Sequence, residues 1–178
     1  MMRLRPYKPC DAASLIKWSS DPEIFELWGG EIIGAYPITE DILNDVYING
    51  NGRCKEADNF YPMTAIEDDR VIGSFIIRYI KEDKKLLRFG WVIVDDTKRG
   101  QHLGQRMLKL GLKYAFDILG ADKATLGVFE NNIPAYKCYQ GVGFHKPSEL
   151  PDSYMEVHGE QWKVVELEIS RADYESGR

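Results

Sequence analysis

Cysteine and histidine are scarce in this 178-residue chain, three of each, and they stand singly. No C-x-x-C or H-x-x-x-H pair occurs, so no metal site is expected. Three scattered cysteines (Cys10, Cys54, Cys138) fit a reducing compartment without disulfides, where they act as small buried hydrophobes. No apolar run approaches the ~20 residues of a membrane helix, and Met1-Met2-Arg3-Leu4-Arg5-Pro6 lacks the apolar stretch of a secretory signal. The expected location is cytoplasmic, with no membrane partner. A basic excess is also missing: the net charge is -5, which argues against a general nucleic-acid binder and is compatible with cationic acceptors such as amines. Internal repeats and low-complexity tracts are absent. So are G-x-x-x-x-G-K-[ST] and a G-x-G-x-x-G after a strand; Gly141-Val142-Gly143 lacks the third glycine.

What remains is a globular chain, 44% hydrophobic and 29% charged, of a length suited to one domain. Arg3 to Pro6 reads as a short strand. Helices follow, one capped by Asp11, one starting at Asp21-Pro22 with Pro22 in its first turn, and one capped by Thr39. Residues 49–59 read as a polar loop. The period then changes: 61–67, 71–80 and 86–94 form an antiparallel meander. A long helix from about His102 to Leu119 carries an apolar stripe through Leu103, Met107, Leu110 and Tyr114. Strand 124–129, a short helix from Pro134 to Gln140, a strand opening at Gly143-Phe144 and a final strand 161–169 complete an α+β chain.

One junction carries chemistry. Strand residues Val92-Ile93-Val94 run through Asp95-Asp96-Thr97-Lys98-Arg99 into Gly100-Gln101-His102-Leu103-Gly104-Gln105 and the long helix. A glycine-bearing turn at a helix start aims unpaired N–H groups at one point, and the macrodipole favours an anion there by ~0.3–1 kcal/mol. Lys98 and Arg99 add positive charge, so a phosphate is the natural guest. Equally, Gly100 and Gly104 could serve only a turn and close helix packing.

About thirty residues downstream stands Asn131-Asn132-Ile133-Pro134-Ala135-Tyr136-Lys137-Cys138-Tyr139-Gln140-Gly141-Val142-Gly143-Phe144. R-G-x-x-L-G and N-x-x-A-x-x-x-Y-x-x-x-G-F together resemble the GNAT superfamily of N-acetyltransferases across roughly residues 60–145. Leu4-Arg5-Pro6, Asp11-Ala12, Trp18 and Asp21-Pro22-Glu23 are similar to the branch that holds the ribosomal-protein N-terminal acetyltransferases.

The resemblance implies a single domain with a mixed, bent sheet of about seven strands, helices on both faces and a V-shaped cleft between strands 4 and 5. Residues 1–58 would form the acceptor side, 59–145 the acetyl-CoA-binding core and 146–178 the C-terminal strands. The co-substrate would be acetyl-CoA, with its pyrophosphate on Arg99 to Gln105. Val92 to Val94 would pair with the pantetheine arm and polarise the thioester carbonyl, and Asn132 would bond the pantetheine or cap the next helix. Tyr139 would be the catalytic proton donor to the departing sulfur, or give it a strong hydrogen bond; its other reading is packing of its helix against the sheet. The acceptor would be a primary amine on a protein N-terminus, a polyamine or another small molecule, acetylated directly in a ternary complex; a homodimer is implied.

Two departures stand out. His102 replaces a more usual glycine, and Gly127 stands where some members carry a glutamate base. Glu130 is the first candidate base, ahead of Glu67, Asp95 and Glu31, and Trp28 and Tyr36 could wall the acceptor. Gly127 also leaves open a catalytically weakened CoA-binding sensor or interaction module.

Overall fold

The computed structural model describes residues 1–80, 83–98, 100–148 and 153–177. Seven strands lie in the order β1-β2-β3-β4-β5-β7-β6. They are β1 (Arg3–Pro6), β2 (Tyr61–Glu67), β3 (Arg70–Ile80), β4 (Asp83–Val94), β5 (Lys123–Phe129), β6 (Ser153–Val157) and β7 (Glu160–Ser170). All neighbours are antiparallel except β4 and β5. That pair needs a crossover, supplied by the helix between them.

The crossover helix α5 (Leu103–Lys113) continues into a wider turn, Tyr114–Ile118, ending nearly where the apolar stripe does. Its Leu103, Met107, Leu108 and Leu112 bury against Phe75, Ile77, Leu87 and Phe89 of the sheet. On the opposite face a second core gathers α1 (Ala12–Trp18), α2 (Pro22–Trp28), α3 (Gly30–Ile33) and α4 (Glu40–Asn44) over Ile76 and Ile93. Strand alternation explains the division: Phe75 and Ile77 point one way and Ile76 between them the other. Helices therefore cover both faces. Asp21 caps α2 through the Glu23 and Ile24 N–H groups, and Thr39 caps α4 through that of Ile42.

Three expectations need correction. Asp11 does not cap α1. Its buried carboxylate instead accepts from Arg5 Nη1 and Nη2 (2.7 and 2.6 Å), the Lys8 N–H (2.9 Å) and the Thr64 hydroxyl (2.8 Å), tying β1 to β2. The strand expected at Gly143 is a lone bridge, His145 to Glu168. The seventh strand is β6, paired with β7 as a hairpin. Its sequence, Ser153 to Val157, alternates too weakly to announce a strand.

Candidate active site

β4 and β5 pair only through Leu86–Lys123, Leu87–Ala124 and Arg88–Thr125. Beyond that point β4 stays with β3 and β5 stays with β7, so the sheet opens between them. A cavity of about 540 Å³ occupies the opening. Its lining includes Trp28, Arg53, Cys54, Phe60, Arg78, Arg88, Gly90, Trp91, Gly127, Asn132 and Tyr139.

The wall from β4 carries a bulge. Ser74 faces Ile93 and Ile76 faces Gly90, so β4 holds one residue more than β3 over this stretch. Trp91 takes up the excess at φ +46°, a left-handed conformation that a bulky aromatic residue adopts only under constraint. The constraint is visible. Trp28 Nε1 donates to the Trp91 carbonyl at 2.9 Å, and Tyr47 stacks on the Trp91 indole at 5.5 Å with Phe60 edge-on. Past the bulge, the Asp95 N–H bonds the Ile72 carbonyl of β3 at 3.0 Å. Strand alternation then turns the N–H groups of Val92 and Val94 to the other edge, toward the gap left by β5. Ile93 pairs with Ser74 and buries its side chain under the N-terminal helices, so its main chain faces away from the gap.

The opposite wall comes from β5 and α6 (Ile133–Gln140). The Asn132 side chain caps α6 by accepting the Ala135 N–H at 3.3 Å, and Asn132 also lines the cavity, so both of its expected roles share one position. Tyr139 is buried and lines the same cavity, and among the described residues its hydroxyl has no hydrogen-bond partner. Burial pushes its phenol well above the ordinary value, with the Cys138 thiol adding to the rise. Tyr136 lies outside this lining.

At the start of α5 the first intrahelical bond runs from the Arg106 N–H to the His102 carbonyl at 3.0 Å. The N–H groups of Leu103, Gly104 and Gln105 are left without a main-chain partner among the described residues. His102 is the N-cap at φ +53°, and its side chain caps nothing. Gly100 has φ +80° with open space where a Cβ would stand, whereas a Cβ on Gly104 would meet Cys138 Sγ at 2.9 Å. The two glycines thus do different work: one permits the turn, the other seats α5 against α6. Gln101 is exposed in the turn between them. Arg99 lies outside the described residues.

None of the four candidate bases reaches the cavity. Glu130 is exposed and paired with Lys163 Nζ at 3.0 Å. Glu67 holds Arg106 at the far end of β2. Asp95 accepts from Thr97, and Glu31 is exposed on α3. Tyr36 is also outside the lining, its hydroxyl bonded to the Ser20 carbonyl at 2.6 Å and its ring tilted on Phe25. Among the described lining residues, Glu56 is the one carboxylate.

Position 127 is accounted for by its neighbours. Arg88 reaches over it to grip Glu166 of β7 with both guanidinium arms, at 2.7 and 3.0 Å. A Cβ at 127 would stand 2.7 Å from Arg88 Nη2 and 2.9 Å from Val164 Cγ1. Sequence reading missed this bridge and the neighbouring Arg53, Lys55 and Arg78. The available signal was Arg78 itself, a charge inside the otherwise apolar run Val71 to Ile80.

Comparison with known proteins places this geometry. Residues 2–145, well over half the chain, match the acetyltransferase (GNAT) domain family. The spermine/spermidine N(1)-acetyltransferase of Bacillus subtilis is 34% identical over 74 residues, 42% of this chain and 45% of that protein, so the match spans less than half of the relative's length. The acetyltransferase PseH of Campylobacter jejuni is 26% identical over 79% of this chain and 80% of its own. In solved structures, the spermidine N-acetyltransferase of Vibrio cholerae, bound to CoA and spermine, superposes with a TM-score of 0.77 at 19% identity over 97% of both chains. The aminoglycoside acetyltransferase AAC(6')-Ib with coenzyme A gives 0.76 at 16% identity over 99% of this chain and 98% of that one. With the fold shared and the motif region matched, the chain belongs to the acetyltransferase (GNAT) domain family.

Proposed function

We propose that the protein transfers an acetyl group from acetyl-CoA to a primary amine by direct attack in a ternary complex. The observation that carries this reading is the gap between β4 and β5, with Tyr139 on one wall and the Trp91 bulge on the other. The residues present fit coenzyme A. Free N–H groups at Leu103, Gly104 and Gln105 suit a diphosphate, with Gly100 leaving room above the turn. The outward N–H groups of Val92 and Val94 suit an extended amide-bearing arm. Gln101 and His102 complete the turn, and Asn132 lines the other wall.

Bound there, acetyl-CoA supplies the activated acyl group. Transfer forms a C–N bond to the amine and breaks the C–S bond; the amine loses one proton and the departing sulfur gains one. Main-chain N–H groups of β4 beside the bulge polarise the carbonyl in this reading. A phenol near ~10 already lies ~1.5 units above a thiol near ~8.5, an uphill transfer of about 2 kcal/mol, and burial raises Tyr139 further. Tyr139 therefore acts by hydrogen-bonding the leaving sulfur, which takes its proton from water.

An amine with a pKa of ~10.4 costs roughly 4–5 kcal/mol to present neutral at pH 7, against about one for an α-amine near ~8. Glu130, held by Lys163, is poorly placed to relieve that cost. The cavity does so differently: Arg53, Lys55 and Arg78 outnumber Glu56, and a surplus of positive charge disfavours an ammonium. The amine gives its proton to water before it attacks.

The finer branch reading, toward protein N-termini, rests on residues with internal duties. Arg5 and Asp11 pair with each other, and Asp21 caps α2. Amines of small molecules are the broader reading that the relatives support. The test is thiol release from acetyl-CoA against a panel of peptides, polyamines and amino sugars. Turnover with at least one amine supports the proposal; acetyl-CoA binding with no transfer to any would establish the sensor instead.

A further inference from the structure

Two arginines face each other across β3 and β4. Arg78 and Arg88 are direct cross-strand partners in an antiparallel pair, which places both side chains on one face of the sheet. Like charges in that position repel, and the structure compensates only one of them. Arg88 has Glu166. Arg78 is half-buried and has no carboxylate partner among the described residues; its guanidinium acts on the Cys54 thiol.

Arg53 and Lys55 join Arg78 on the same cavity wall. Arg53 spends one donor on the Ile33 carbonyl at 3.1 Å, and neither it nor Lys55 has an acid partner among the described residues. Among the described residues, three uncompensated cations thus line an opening with one carboxylate, Glu56, in a chain whose net charge is -5. A cluster against the overall charge, at a cross-strand position where it weakens the sheet, calls for an anion to complete it. A polyamine brings more positive charge to that wall.

We infer that the acceptor is a small amine that also bears an oxyanion, phosphate or carboxylate, seated against Arg78, Arg53 and Lys55 while its amine points to the bulge. This deepens the acetyl-transfer reading and rests on it. Guanidinium groups suit such a guest because their forked donors match two oxygens at once.

Matched acceptors test the idea in the wild-type protein by thiol release. Glucosamine against glucosamine 6-phosphate isolates the phosphate; 4-aminobutanamide against 4-aminobutyrate isolates the carboxylate; spermidine supplies the polycation. The expected result is a kcat/KM at least about tenfold higher for the anionic member of one pair, the effect of roughly one charge-assisted hydrogen bond. Which pair responds identifies the oxyanion. In Arg78→Gln that advantage should shrink to under about threefold through KM. Lys55→Gln, on the exposed loop, repeats the test should Arg78→Gln not fold. Equal values within both pairs, or a preference for spermidine, would overturn the inference and leave acetyl transfer standing. No turnover with any amine would remove both.

Discussion

Arg88 and Glu166, 78 residues apart in sequence, meet over Gly127 through a two-armed ion pair that crosses the floor of the cleft. The glycine makes the crossing feasible, since a Cβ there would press on Arg88 Nη2 and on Val164. A glutamate introduced at 127 would have to break the pair or push the strands apart. Gly127→Glu is expected to lose about 1–3 kcal/mol in denaturant unfolding, the usual cost of overpacking, and to show no gain in turnover. A higher kcat would mean that this chain can use a base at 127 after all.

Under the proposed role, in which the hydroxyl matters only as the sulfur departs, Tyr139→Phe should lower kcat while acetyl-CoA affinity, read by calorimetry, stays within about twofold. The acid is neutral when protonated, and burial raises its pKa, so it holds its proton throughout the ordinary assay range. The rate profile from pH 7 to ~10 should therefore contain no falling limb that disappears in Tyr139→Phe. Finding such a limb would assign Tyr139 a titrating role.

Gly100 and Gly104 separate backbone strain from crowding. Gly100→Ala meets no atom but must hold φ +80°, so it should cost about 1 kcal/mol and raise KM for acetyl-CoA modestly. Gly104→Val forces a side chain against Cys138 and should move α5 away from α6, with a larger rise in KM and about 1–3 kcal/mol of lost stability. Equal effects from the two would argue that packing at α6 is irrelevant to the turn.

Trp28→Phe keeps the aromatic bulk and deletes the hydrogen bond to the Trp91 carbonyl. The bulge then loses one of its restraints, and kcat is expected to fall about tenfold or less, with stability down by roughly 1 kcal/mol. Unchanged kcat would show that Tyr47 and Phe60 hold the bulge unaided.

Asp11 offers a stability test with a defined sign. Burial pushes its carboxyl up, yet Arg5, the Lys8 N–H and the Thr64 hydroxyl outweigh that and hold it below the ordinary carboxylate range. A depressed folded pKa contributes stability above the unfolded value near ~3.9 and loses it as pH falls through the folded one. Asp11→Ala, which strands Arg5, should cost about 3–5 kcal/mol near neutral pH by urea unfolding. The gap between variant and wild type should narrow below pH ~4.

Local chemistry made much of this readable in advance. The meander, the α5 stripe, the helix start at Asp21-Pro22 and the cap at Thr39 follow from spacings within a few turns of chain, whereas Tyr139 and Asn132 are picked out by the resemblance of their motif to the family. The unread parts depend on distance. Arg88 gives no hint of Glu166, because a long-range ion pair leaves no periodic trace. Glu130 looked available because Lys163, its partner, arrives from β7. The bulge at Trp91 is invisible in Gly90-Trp91-Val92, since register is set by β3 and by Trp28 far upstream. β6 was misplaced because five weakly patterned residues take their strand from β7.

The sheet acts as a wall between two separately sealed interiors, with Phe75 and Ile77 on one side and Ile76 and Ile93 on the other. Exchanges among Leu15, Phe25 and Leu43 on one side and among Met107, Leu112 and Phe144 on the other touch no common side chain, and their energetic effects should sum. Under the proposed function, substitutions in the N-terminal helical layer should therefore leave the stability of the α5 layer, where the acyl carrier would be held, unchanged.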